Sequence, residues 1–330
     1  MTQPASQPNQ RQRGGAHARP RGAVVYVWVL WTVVAVAIVV TYARIPAADL
    51  YHTSGGGLSA GFGRALVFLN FPVSLVMIAV AILAAERLRA ADVVWRWVGP
   101  ATGAAIVLCA TTAVPGVVDE NDLDARPINA LPAIGVALAG LLAWAAAWRP
   151  AQRSPIVLSP GQRSVRAVVG AALAIVAIPW IAAELGFYLS GLPLIGDHVL
   201  SDELRIEPDG STLAAVHLGH HHGLDGVLIA LSALLLWPEL GRMRPHAARA
   251  AVSLYVTLLF TYGVANAAED AWLEQLVKRG TTAWEFPSVL RPEASLAWLG
   301  MLAGGVALWL LVVRRSIIWQ ERSGNRRAQA

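Results

Sequence analysis

Charge and cysteine are what this chain has little of. Only 14% of its 330 residues are Asp, Glu, Lys or Arg, against about a quarter in an ordinary soluble domain. A chain so poor in charge lacks the polar surface that a water-facing globule needs. Its 56% of hydrophobic residues and mean hydropathy of +0.52 place it in the membrane class. The single cysteine, Cys109, excludes an intrachain disulfide and any zinc site built from cysteines. No HExxH or P-loop pattern occurs, so the helix-borne zinc protease motif and the Walker phosphate cradle are both missing. No internal repeat is visible, which removes the main sequence pointer to an inverted-repeat transporter.

What the chain does have is long apolar runs. A hydrocarbon core about 30 Å thick takes about 20 residues of helix to cross. Eight stretches meet that length: 23–43, 65–85, 98–118, 128–148, 166–190, 216–237, 248–268 and 295–318. They are continuous rather than alternating, which argues against a strand barrel. The third is the weakest, with Thr102, Thr111, Thr112 and Pro115 inside it. The first run, VVYVWVLWTVVAVAIVV, is too long for a signal-peptide core and has no clear small-x-small cleavage site behind it, so it reads as a retained span.

The basic residues orient the spans. With the N-terminus inside, the inner segments hold 19 of the 26 Lys and Arg residues and the outer ones hold 7. That is the bias the positive-inside rule demands. The sequence therefore predicts an all-α polytopic bundle of eight transmembrane helices, both termini cytoplasmic, over 23–319. It is flanked by basic tails at 1–22 and 320–330 whose composition predicts disorder. The net charge of +5 then reflects topology; the expected partner is the lipid bilayer, not nucleic acid. Trp95, Trp97, Trp148, Trp237 and Trp319 fall near span ends and read as interfacial anchors.

The outer side receives 15 of the 21 acidic residues and six of the eight histidines. In the connection near 190–215, Pro208-Asp209-Gly210 suits a tight turn between two short strands. A helix capped at Ser211 or Thr212 is expected after it. Near 269–280, AWLEQLVKRG reads as an amphipathic helix lying in the interface plane, with Trp272, Leu273, Leu276 and Val277 on one side.

The stretch VHLGHHHGLDG, residues 216–226, carries the most chemistry. Read as helix, His217, His221 and Asp225 share a face at i, i+4 and i+8, with His220 beside them. Histidines four apart can hold one metal ion. Asp225 lies about 12 Å from His217 along the axis, so it would orient His221 or serve a second ion. Glu269 and Asp270, at the end of the seventh span, are expected to complete the shell, followed by Glu184, His198, Asp119 and Glu120. Imidazole and carboxylate without thiolate suit Zn, Fe, Mn or Cu. HLGHH also fits one H-x-x-H-H box of membrane desaturases and hydroxylases. Those families carry several such boxes on the cytoplasmic face, and this chain has one on its expected outer face, so the match fails.

A carboxylate at membrane depth costs about 2.5–3.5 kcal/mol. Glu184 and Asp225 are therefore expected to be catalytic carboxylates, Glu184 as the general base. The sequence reading is a metal-dependent membrane enzyme acting on a lipid or lipid-linked substrate. A proton-coupled permease using the same residues, and a non-catalytic assembly or sensor subunit, are the alternatives. A buried structural ion pair would explain any one of these carboxylates equally well.

Overall fold

The computed structural model describes residues 22–50, 55–90, 95–114, 116–117, 124–149, 155–196, 198–199, 201–206, 210, 212–244, 246–290 and 294–313. These form an all-α arrangement: α1 (Ala23–Arg44), α2 (Gly57–Phe68), α3 (Ser74–Ala90), α4 (Trp95–Ala110), α5 (Ala130–Ala147), α6 (Pro160–Val176), α7 (Ile178–Glu184), α8 (His222–Leu236), α9 (His246–Trp272) and α10 (Leu296–Leu308). Of the basic tails expected at 1–22 and 320–330, all but Gly22 lies outside the described residues.

Five helical stretches are long and apolar enough to cross a membrane: Ala23–Arg44, Gly57–Arg89, Pro127–Ala147, His222–Arg242 and His246–Val277. The α6–α7 pair adds a sixth if it is counted as one span. The other two apolar runs form shorter helices. α4 has 16 residues and ends in a single 3-10 turn, Thr111–Ala113. Thr111 turns its hydroxyl onto the Leu108 carbonyl at 2.6 Å, and Val114, just before Pro115, is extended. Both are local brakes on a helix: a threonine hydroxyl competing for backbone carbonyls, and the restriction proline imposes on its predecessor. α10 belongs to an apolar stretch over Leu296–Leu311.

Burial sorts the helices into layers. In the α8 stretch 72% of the apolar window is buried and in the α2–α3 stretch 67%, whereas in α1 the figure is 22%. α8 and α3 are therefore central, and α1 turns Val29, Val33, Val36 and Val40 outward as a lipid-facing helix does. Between α2 and α3 the chain widens into a π turn, Leu69–Val73. Pro72 has no N–H to donate at that point, and the wider turn absorbs the defect. Asn70 sits fully buried there and donates its amide to the Leu66 carbonyl at 2.6 Å.

Two proline and glycine features position the functional residues. Pro179, in the first turn of α7, has no N–H for α6, and the two helices meet at 52°, as proline kinks do. The bend carries Trp180 and Glu184 into the protein, 0% and 4% exposed. α8 and α9 then cross at Gly226 and Gly263. A Cβ on Gly226 would lie 2.6 Å from the Ala267 amide nitrogen and the Gly263 carbonyl oxygen. Only hydrogen at both positions lets the backbones approach this closely.

Three local expectations change. An antiparallel hairpin does form, β1 (Leu204–Ile206) with β2 (Thr212–Ala214), pairing Leu204 with Ala214 and Ile206 with Thr212. Thr212 is thus a strand residue and caps no helix. The chain stays non-helical up to His221, so the i, i+4, i+8 geometry of 217–225 does not exist. Glycine at 219, held at φ +106°, is incompatible with a right-handed helix. Finally, AWLEQLVKRG forms no separate surface helix: it prolongs α9 through a π turn, Leu273–Val277, with Glu274 and Val277 buried.

Gly226→Val should separate α8 from α9 and destabilise the protein by about 1–3 kcal/mol or more, the cost of overpacking a tight contact. Thermal unfolding in detergent checks this against Gly300→Ala in α10, whose added methyl meets nothing within 4 Å and should leave the midpoint unchanged.

Candidate histidine and carboxylate site

Glu184 is fixed by the way α7 ends. The Phe187 N–H bonds the Ala182 carbonyl at 3.0 Å and the Gly186 N–H bonds the Ala183 carbonyl at 3.0 Å, with Gly186 at φ +82°. This is the Schellman pattern, and the E-L-G sequence supplies its left-handed glycine. Two further bonds come from outside: Gly219 also donates its N–H to the Ala183 carbonyl at 3.0 Å, and the Thr41 hydroxyl of α1 donates to the carbonyl of Glu184. The histidine run is in this way stitched to α7 and to α1.

His220 lies between two carboxylates. Its Nδ1 is 2.7 Å from Glu184 Oε2 and its Nε2 is 2.6 Å from Asp225 Oδ1. A carboxylate has no proton to give at ordinary pH, so both ring nitrogens donate and the imidazole is cationic. Burial works against that charge, but Asp225 and Glu184 override it and push the group up to about 10. The backbone N–H of His220 bonds the Tyr42 hydroxyl oxygen at 3.2 Å, and Arg64 Nε donates to the same oxygen at 3.3 Å. Phe68 closes the ring's side edge-on, 4.7 Å between centroids. Glu184 Oε1 is buried with no hydrogen-bond partner among the described residues.

One residue on, His221 faces a second acidic pair. Its Nε2 lies 2.8 Å from the His217 carbonyl; a carbonyl only accepts, so Nε2 carries a proton. Nδ1 then points at Glu274 Oε1, 3.0 Å away, and Asp270 Oδ2, 3.9 Å away. A lone pair facing two carboxylates is repulsive unless a cation, either a proton or a metal ion, sits between them. Burial disfavours the protonated form of His221 and Glu274 more than offsets it, so the proton is held more tightly than on a free imidazole. His221, Asp270 and Glu274 are all buried, and each offers a ligand atom within 4.8 Å of the others.

The two acids are themselves held. Trp180 donates its indole N–H to Glu274 Oε2 at 2.7 Å. Gly223, in the first turn of α8, donates its N–H to Asp270 Oδ2 at 2.8 Å, so Asp270 caps α8 from the neighbouring helix. A Cβ on Gly223 would collide with the Trp180 ring and the Asp270 carboxylate. His222 approaches Asp270 Oδ1 at 3.3 Å, and Asn266 donates to the His222 carbonyl at 3.1 Å.

Of the residues the sequence singled out, the structure brings His221 and Asp270 to one cluster and Glu184, His220 and Asp225 to its neighbour. His217 does not converge with His221 on one point. Their rings stack at 4.0 Å and 14°, so their in-plane lone pairs lie in separate, nearly parallel planes. Glu269 leaves the cluster altogether, accepting the Val289 N–H at 3.0 Å. His220 has both ring nitrogens occupied and none left for an ion. His198 lies in a turn, its N–H on the Ile195 carbonyl. Asp119 and Glu120 lie outside the described residues. Glu274, which the sequence reading did not select, joins the cluster because it follows Asp270 by four residues, one turn further along α9. That spacing was the available signal. Comparison with family models, curated proteins and solved structures finds no match.

The His220 ion pairs have a definite pH signature. A group whose folded value is raised stabilises fully below its unfolded value of 6.5 and loses that contribution as pH climbs toward about 10. Thermal midpoints in detergent between pH 6.5 and 10 should fall for the wild type, and His220→Gln should remove most of that slope while lowering the midpoint at pH 6.5.

Proposed function

We propose that this protein is a metal-dependent membrane enzyme, an eight-span bundle with both termini cytoplasmic and its site at the extracytoplasmic end. The observation that carries the reading is His221 Nδ1 aimed at two buried carboxylates, with Nε2 committed to the His217 carbonyl. Three buried ligands from two elements, N and O only, form a donor set for Zn, Fe, Mn or Cu. Separations of 3.0 and 3.9 Å from Nδ1 to the two carboxylate oxygens suit ligands bonded at about 2.0–2.2 Å to a shared ion. The Trp180 indole and the Gly223 amide, each on a ligand carboxylate, supply the orienting contacts that metal sites use. Such an ion would polarise a bound carbonyl or phosphoryl group, or lower the pKa of a water. The Glu184–His220–Asp225 chain, one residue away, holds a proton next to it. A site at the end of a membrane helix pair favours a lipid or lipid-linked substrate.

Elemental analysis of the purified, metal-reloaded protein should find close to one equivalent of a transition metal. His221→Ala and Glu274→Gln should lose it, and Glu269→Gln should keep it. Trp180→Phe should retain the ion with roughly 10–100-fold weaker affinity, the usual effect of removing a contact that orients a ligand. A wild type that stays metal-free after reloading sinks the proposal, as does full occupancy in the His221→Ala/Glu274→Gln double variant.

A second reading, a proton-coupled permease, draws on one specific feature: the chain Glu184–His220–Asp225, with Glu184 Oε1 lacking a hydrogen-bond partner among the described residues. It requires pH-driven solute flux in proteoliposomes that His220→Gln abolishes and that metal removal leaves intact.

A further inference from the structure

At the end of the bundle away from the histidines, α6 packs loosely against α1 and α8. A groove of about 360 Å³ opens between them, lined by Leu30 of α1, Arg163, Arg166 and Gly170 of α6, and Leu231 and Leu234 of α8. Its wall is apolar except for the two arginines, and no carboxylate lines it. Gly170 widens it: a Cβ there would meet only Leu231 Cδ2, at 3.7 Å. Arg166 is anchored by one arm, Nη2 donating to the Leu234 carbonyl in the last turn of α8. Its Nε is buried with no hydrogen-bond partner among the described residues. Arg163, one turn nearer the start of α6, is exposed. Val165 and Val168 on the same helix are 63% and 68% exposed, so the outer face of α6 is apolar and lipid-facing.

This combination selects its occupant. A groove between membrane helices is reached from the bilayer, and apolar walls take a hydrocarbon chain. Two guanidiniums at its end, one held rigidly with a donor to spare, are unbalanced by any acid in the lining. They call for a phosphate, which arginine forks bind in bidentate fashion. Basic pockets between helices on the cytoplasmic side are where anionic head groups lodge, and with the N-terminus inside, the connection between the spans expected at 128–148 and 166–190 is an inner one. We propose that this groove binds one anionic glycerophospholipid of the cytoplasmic leaflet, its phosphate on Arg163 and Arg166 and an acyl chain along Leu30, Gly170, Leu231 and Leu234. By bridging α6 to α1 and α8, the lipid fixes the helix that leads directly into α7 and Glu184. The proposal is independent of whether the histidine cluster holds a metal.

The test uses the full chain in dodecyl maltoside, titrated with phosphatidylglycerol, phosphatidylcholine or inorganic phosphate and followed by native mass spectrometry and thermal unfolding. Phosphatidylglycerol should be retained as a single copy and raise the midpoint, phosphatidylcholine much less, and inorganic phosphate not at all. Arg163→Gln should weaken phosphatidylglycerol roughly fivefold, the effect of one interfacial basic charge. Arg163→Gln/Arg166→Gln should erase the preference over phosphatidylcholine. Gly170→Leu, which fills the groove and leaves both charges in place, should weaken both lipids; it also serves if the loss of Arg166 impairs folding. Equal retention of the two lipids by the wild type overturns the proposal. So does phosphatidylglycerol binding that is undiminished in both Arg163→Gln and Gly170→Leu, or a midpoint shift from inorganic phosphate as large as that from the lipid.

Discussion

Asp270, two residues before the end of α9, accepts the N–H of Gly223 at the start of α8, and much of the structure depends on that bond. It satisfies one of the unpaired amides that open every helix and places a negative charge at the positive end of the α8 dipole. It also fixes the register of α8 on α9. The glycine crossing at 226 and 263 needs this register, because one residue of slip would bring side chains into a gap that holds none. The same carboxylate stands beside His221 and His222. Moving it would therefore disturb the helix pair and the candidate metal cluster together.

A protein in a bilayer has no water at depth to complete its hydrogen bonds, so buried polar groups must find partners within the chain. In the described helices three tryptophan N–H groups meet that demand on small hydroxyls and an acid. Trp31 donates to Ser232 at 2.8 Å, Trp309 to Ser253 at 2.7 Å and Trp180 to Glu274 at 2.7 Å. Tyr255 donates to the Leu75 carbonyl at 2.7 Å. Each bond ties two helices together while an aromatic body fills the space between them. Glu184 Oε1 is buried without a hydrogen-bond partner among the described residues, in the region where acids and histidines are concentrated.

The polar site is made by interruptions. Pro179 bends α6 into α7, Gly186 stops α7 after Glu184, and Gly219 keeps the histidine run out of a helix until His222. An uninterrupted helix through the run would have put His217, His221 and Asp225 on one face, with His220 beside them. The extended run instead lets successive residues diverge. His220 enters the Glu184–Asp225 pair and His221 enters the Asp270–Glu274 pair, so adjacent side chains serve two separate acidic partners.

The sequence by itself determined the helical, membrane-embedded character of the chain, because hydrophobic length and scarcity of charge are one-dimensional quantities that need no contacts to be read. It also located the chemistry: four histidines within six residues, and carboxylates where a membrane helix ought to be apolar, are costly wherever they end up. The tertiary structure alone decided which acid meets which imidazole. Asp225 reaches His220 rather than His221 because Gly219 denies the run its helical period. Glu269 turns away to Val289 while Asp270, next to it, turns in, since neighbours on a helix point about 100° apart. Glu274 arrives one turn later on the inward side, and its partner Trp180 comes from a helix ninety-odd positions earlier, placed there by a proline bend. Pairings of that kind depend on how the ends of three helices are brought together, and local spacing in a single sequence does not encode it.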